Sequence, residues 1–150
     1  MAGSTVTVRL WVAGFIAGAI GYLIGFEPML ALLNKLHLTN APLYSLRPTA
    51  PLHLPELVST AFWSGLWGIA FALAQRRFPR GAGYWLLAFV FGALLPSLVA
   101  WFVVAPIKTG GIPRFTFDRV LVAVLLNGAW GLATAVVLRA VVQGKGRLRG

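Results

Sequence analysis

The sequence predicts an all-α membrane protein: four transmembrane helices arranged as two parallel helical-hairpin repeats in a single integral domain, residues 1–150. Three observations carry this. Of 150 residues, 59% are hydrophobic and 11% charged, with a mean hydropathy of +0.82. A soluble domain carries roughly 45–50% apolar and about 25% charged residues. Here 59% of 150 gives about 88 apolar residues, too many for one water-soluble core and enough for four spans of about 20 each. These residues fall into four runs, at about 10–33, 57–75, 84–104 and 119–142. Finally, a stretch of the second run recurs in the fourth.

The first run, 10–33, is broken only by Glu27 and Pro28. Arg9 followed by Ala17-Gly18-Ala19 has the outline of a signal peptide. The apolar run continues far past that point, however, whereas signal cores are about 7–15 residues long, so an uncleaved span is expected. Residues 34–55 contain Pro42, Pro48, Pro51 and Pro55. Proline at this density excludes a continuous helix and predicts extended structure at the membrane surface. Pro55-Glu56 then opens the second run as a helix start. RRFPRGAG, 76–83, is a short basic turn, and the third run carries Pro96, which a membrane helix tolerates as a kink. Residues 105–118, with Gly110, Gly111 and Pro113, form a second polar loop before the fourth run. The basic tail QGKGRLRG, 143–150, is expected to fray.

Charge gives orientation. Arg9, Arg76, Arg77, Arg80, Arg139, Lys145, Arg147 and Arg149 fall at one end of the spans. Lys35, Arg47, Lys108, Arg114 and Arg119 fall at the other, together with all three acids, Glu27, Glu56 and Asp118. The positive-inside rule therefore places both termini and the 76–83 turn in the cytoplasm. A net charge of +10 would suggest nucleic acid in a soluble protein; flanking membrane spans, it predicts contact with anionic lipid headgroups and no nucleic acid. The Arg-, Ala- and Gly-rich composition is that of a GC-rich bacterium, so the expected location is a bacterial inner membrane. With no cysteine in the chain, disulfides, thiolate metal sites and cysteine redox relays are excluded.

The repeat is the strongest signal. SGLWGIAFALAQR (64–76) and NGAWGLATAVVLR (127–139) align at a constant offset of 63. Gly65/Gly128, Trp67/Trp130, Gly68/Gly131, Ala70/Ala133, Ala72/Ala135 and Arg76/Arg139 are identical pairs, and Ser64 faces Asn127. Phe15-x-x-Gly18-Ala19 is echoed by Phe89-x-x-Gly92-Ala93. Each half is thus a helix pair, and two spans per unit make the halves parallel. Lipid tails are as apolar as Leu, so membrane helices associate by close packing through small residues. Gly14, Gly18, Gly21 and Gly25, spaced four, three and four, line one face of the first span. Gly65, Gly68, Gly128 and Gly131 are expected to admit neighbours likewise, with Trp67 and Trp130 filling the adjacent space.

Few residues carry chemistry. Glu27 is the one acid inside an apolar run, and intramembrane carboxylates are candidate proton or cation sites. Its place at the outer end of the span, next to Pro28, predicts a water-wetted rim position. Ser64 and Asn127 are expected to bridge helices or, alternatively, to line a polar path. The spacing of His37, His53 and Glu56 matches no rigid metal motif. With no His in a run, no nucleophilic triad and no phosphate loop, no enzyme activity, metal or cofactor is expected.

Phe78-Pro79-Arg80…Tyr84, then Gly92-Ala93-Leu94, then Pro106 before Gly110, resembles the layout of the YagU-like bacterial inner-membrane proteins and related small four-span families, over about 15–110. The chain is shorter, lacks the family's membrane-embedded His and has a different first loop. The resemblance implies a small multi-span inner-membrane protein and supplies no mechanism. The function expected is therefore non-enzymatic: an accessory subunit or homo-oligomeric scaffold. The alternative is a small transporter or channel for a proton, cation or small molecule, using Glu27 and Asn127.

Overall fold

Four helical spans, each long and apolar enough to cross a membrane, make up the computed structural model, which describes residues 2–50 and 52–147. The first span joins α1 (Ala2–Gly21) through a π turn (Tyr22–Phe26) to α2 (Glu27–Lys35). A loop follows, holding a two-residue hairpin in which β1 (Pro48–Thr49) pairs antiparallel with β2 (Leu54–Pro55). The second span is α3 (Glu56–Ala74) with a closing 3₁₀ turn (Gln75–Arg77). The third joins α4 (Ala82–Val99) through a π turn (Ala100–Val104) to α5 (Ala105–Thr109), and the fourth is α6 (Phe117–Arg147). The bundle has a turn end, where residues 75–82 lie, and an opposite loop end.

The helices outrun the apolar runs, and proline explains where. A proline has no N–H and its ring strikes the carbonyl four residues back. The first and third spans each place a π turn immediately before an X-Pro pair, Glu27-Pro28 and Ala105-Pro106, with Glu27 N–H bonded to Tyr22 O and Ala105 N–H to Ala100 O. The wider i→i+5 turn carries the helix past the proline. The third span therefore ends at Thr109 rather than near 104, closed by Gly110 in the left-handed region (φ 75°), where glycine carries no Cβ penalty. Pro96 lies inside α4. The fourth helix does not fray at 143 but continues through Arg147, each added residue extending a ladder already nucleated. Residues 148–150 of the predicted tail lie outside the described residues.

Around the bundle, α1 packs along α3, α4 along α6, and α1 along α6, while the backbones of α3 and α4 stay apart. Glycine sets the close contacts. A Cβ on Gly18 would strike the Ser64 carbonyl and lie 2.8 Å from Gly68 Cα; one on Gly92 would strike the Asn127 carbonyl and lie 2.9 Å from Gly131 Cα. The glycine stripe of the first span divides between two neighbours: Gly14 and Gly18 meet α3, whereas Gly21 and Gly25 meet Thr134, Ala129 and Ala133 of α6. Gly65 and Gly128 receive the rings of Phe15 and Phe89 rather than a backbone. Between α3 and α4 the space is held by aromatic rings, Phe71 edge-on to Phe91 at 5.2 Å and to Trp130 at 6.5 Å.

The two aligned tryptophans differ. Trp130 is buried, 2% exposed, and its indole N–H donates to Gly18 O at 2.9 Å; Trp67 is only half-buried.

Candidate functional site

Glu27 is where the fold concentrates polar contacts. Its predicted wet rim position is overturned: Glu27 is 2% exposed. The π turn and the loop together bury it. At roughly 100° per residue, Tyr22 and Glu27, five apart, would sit about 140° apart on an α-helix. The i→i+5 turn brings them to one face, and the Tyr22 hydroxyl donates to Glu27 Oε1 at 2.5 Å. The other oxygen, Oε2, accepts the backbone N–H of Tyr44 at 2.9 Å.

Tyr44 is a second clamp. In the widened turn the partner of Leu23 O would be residue 28, a proline without N–H, and the Tyr44 hydroxyl donates to that carbonyl instead, at 3.3 Å. Tyr44 holds a left-handed backbone, φ 45°, which costs an L-residue about 1–2 kcal/mol; the two bonds to the first span offset it. The rest of the loop is tied down similarly. Asn34 Nδ2 donates to Ala41 O at 2.9 Å, and the carbonyls of Arg47 and Ser45 accept Glu56 N–H and Leu57 N–H, both at 2.8 Å. These last two bonds satisfy donors that the first turn of α3 cannot satisfy itself. The proline-rich loop is therefore a cap over the loop end, and Glu27 is the anchor beneath it.

Among the described residues no Lys, Arg or His ion-pairs with Glu27. A buried carboxylate without a cation is stable only with hydrogen-bond donors or a proton, and Tyr22 and Tyr44 supply the donors here. Chemically, the arrangement can hold a proton or tether the loop.

The other predicted polar residues lie elsewhere. Asn127 Nδ2 donates to Ser97 Oγ at 3.0 Å, joining α6 to α4. Ser64 contributes its backbone carbonyl to the contact with Gly18. No hydrogen bond links Glu27, Ser64 and Asn127 among the described residues. A groove of about 360 Å³ runs between Phe26, Leu38 and α6, from Asp118 and Arg119 down to Asn127. His37 and His53 sit in the loop at φ 57° and 55°, and among the described residues no three His, Asp or Glu gather as a metal site.

Tyr22, Tyr44 and Ser97 escaped the sequence reading. Pro28 was the available signal for Tyr22, because a proline near the end of a span removes a backbone N–H that a widened turn can bypass. Tyr44 carried none, since its partner lies seventeen residues away.

No family model, no curated protein and no solved structure matches the chain.

Proposed function

We propose that the chain is a non-enzymatic multi-pass protein of a bacterial inner membrane, with both termini cytoplasmic, that works by assembly: an accessory subunit of a larger complex or a homo-oligomeric scaffold built from two parallel helix-hairpin repeats. The observation that carries this reading is the use made of the intramembrane polar groups. Asn127, Trp130 and Glu27 all bond within the protein, helix to helix or helix to loop.

The repeat is supported by matched contacts. Gly18 meets Ser64 and Gly68 as Gly92 meets Asn127 and Gly131, and Phe15 fills Gly65 as Phe89 fills Gly128. The offsets, 74 in one helix and 63 in the other, are those of the sequence alignment. Assembly is supported by where this symmetry breaks. Gly21, Gly25, Ala129 and Thr134 let the first and fourth spans touch; the aligned positions of the third and second spans carry larger side chains, Leu95, Val99, Leu66 and Phe71, and the backbones of α3 and α4 stay apart. Phe62, Trp63, Leu66, Leu94, Leu95 and Leu98 are left exposed on those two spans, as apolar surface for a partner helix or lipid.

A second reading is transport of a proton, cation or small molecule through Glu27 and Asn127. The groove descending to Asn127 and the cation-free carboxylate favour it. Cross-linking in native membrane, followed by purification and identification of what is bound, tests the first reading: a stable hetero- or homo-oligomer is expected. A monomer whose proteoliposomes move protons or cations, and stop on Glu27→Gln, would overturn it.

A further inference from the structure

We propose that the cavity at the turn end binds one phosphate-bearing anionic group, a phospholipid headgroup at the membrane boundary, held by Arg80 and Arg139. The cavity has a volume of about 220 Å³ and opens between Gln75, Phe78, Pro79, Arg80, Tyr84 and Arg139. It lies where the second span ends, the third begins and the fourth nears its end, which is headgroup depth. This goes beyond the assembly reading and does not depend on it.

The walls are built rather than incidental. Tyr84 is buried, and its hydroxyl donates to Gln75 Oε1 at 2.7 Å, fixing the floor. Phe78 packs edge-on against Phe71 and Tyr84, with ring centroids 5.8 and 5.9 Å apart. The Arg139 guanidinium lies 4.7 Å from the Tyr84 ring centroid and 5.4 Å from that of Trp85. Stacking of this kind holds a guanidinium in place while leaving its N–H donors free, and among the described residues no protein acceptor takes them. Gly81, at φ 74°, reverses the chain so that Arg80 and Tyr84 border one cavity.

Charge identifies the ligand. Glu27, Glu56 and Asp118 all belong to the loop end, so the arginines of the turn end have no side-chain carboxylate near them. A planar guanidinium donates two parallel N–H bonds to a phosphate, and basic pockets between membrane helices take acidic headgroups. An apolar cavity wall beside two arginines suits the glycerol and upper acyl carbons that follow such a phosphate.

The test titrates the purified full chain in neutral detergent with short-chain phosphatidylglycerol, short-chain phosphatidylcholine and inorganic phosphate, reading thermal stabilisation and, by native mass spectrometry, the number bound. Saturable binding of one phosphatidylglycerol is expected, with phosphatidylcholine much weaker. Arg80→Gln and Arg139→Gln should each weaken it about fivefold, the worth of one basic side chain at an anionic surface, while Arg77→Gln, outside the cavity, changes it less than about twofold. Among the described residues Arg80 makes no hydrogen bond or ring-stacking contact, so Arg80→Gln serves if the Arg139 variant does not fold. Saturation by inorganic phosphate at similar concentration would keep the cavity as a phosphate site and overturn the lipid assignment. Equal binding of the two lipids, or equal losses for Arg77→Gln and the cavity variants, would overturn the site.

Discussion

Gly18→Ala places a single methyl where two backbones already touch. Its Cβ would overlap the Ser64 carbonyl and lie 2.8 Å from Gly68 Cα and 3.0 Å from Gly68 N. Carbon atoms pack at about 3.5–4.0 Å, so α1 and α3 must part by about 1 Å, because no backbone atom can rotate away as a side chain would. Overpacking of this kind costs about 1–3 kcal/mol. The Trp130 bond to Gly18 O is strained by the same shift, adding up to about 1 kcal/mol. Reversible unfolding in mixed micelles titrated with SDS, followed by far-UV circular dichroism, measures the loss. Gly92→Ala, which meets Asn127 O and Gly131 in the same way, should lose a similar amount from overpacking. Gly111, with nothing within 4 Å of its missing Cβ, should accept Ala within about 0.5 kcal/mol. Gly110 is equally open but holds φ 75°, so Gly110→Ala should cost about 1 kcal/mol through backbone strain alone. Gly18→Ala unfolding together with wild type and Gly111→Ala would refute the close-packing argument.

Glu27→Leu should release the loop: the apolar side chain leaves the buried Tyr22 hydroxyl and the Tyr44 N–H without their acceptor, costing about 1–3 kcal/mol. Hydrogen exchange at the Tyr44 amide reads this, and unchanged protection would count against the anchor. Ser97→Ala removes the acceptor of Asn127 and should cost about 0.6–2 kcal/mol in the same unfolding assay; a neutral result would show the bond idle. Among the described residues Thr134 Oγ1 is buried with no hydrogen-bond partner, so Thr134→Val, which keeps the shape, should be neutral or stabilising by about 1 kcal/mol, and a clear loss would reveal a partner for that hydroxyl. A reporter active only in the cytoplasm should work when fused after Gly150 and be silent when inserted near Asn40; the reverse pattern would invert the orientation.

The four spans were legible because hydropathy is additive along the chain, and bilayer thickness fixes how long an apolar run must be. The glycines were legible as contact points because small residues at spacings of three and four share a helix face. Which neighbour each glycine meets was not: Gly14 and Gly18 turn to α3, Gly21 and Gly25 to α6, a choice made by helix crossing rather than by spacing. The third span, expected to end near 104, runs on to Thr109, because the π turn that carries the helix past Pro106 leaves no mark in the apolar run. Glu27 was identified from the sequence as the unusual carboxylate, yet its burial depended on Tyr44, whose loop folds back across the span. The Arg139–Tyr84–Trp85 stack likewise joins residues more than fifty apart. Periodicity, composition and capping act within a few turns of chain, and these the sequence determined by itself. Hydrogen bonds and stacking between segments distant in sequence depend on how the segments lie in space, and only the tertiary structure decided them.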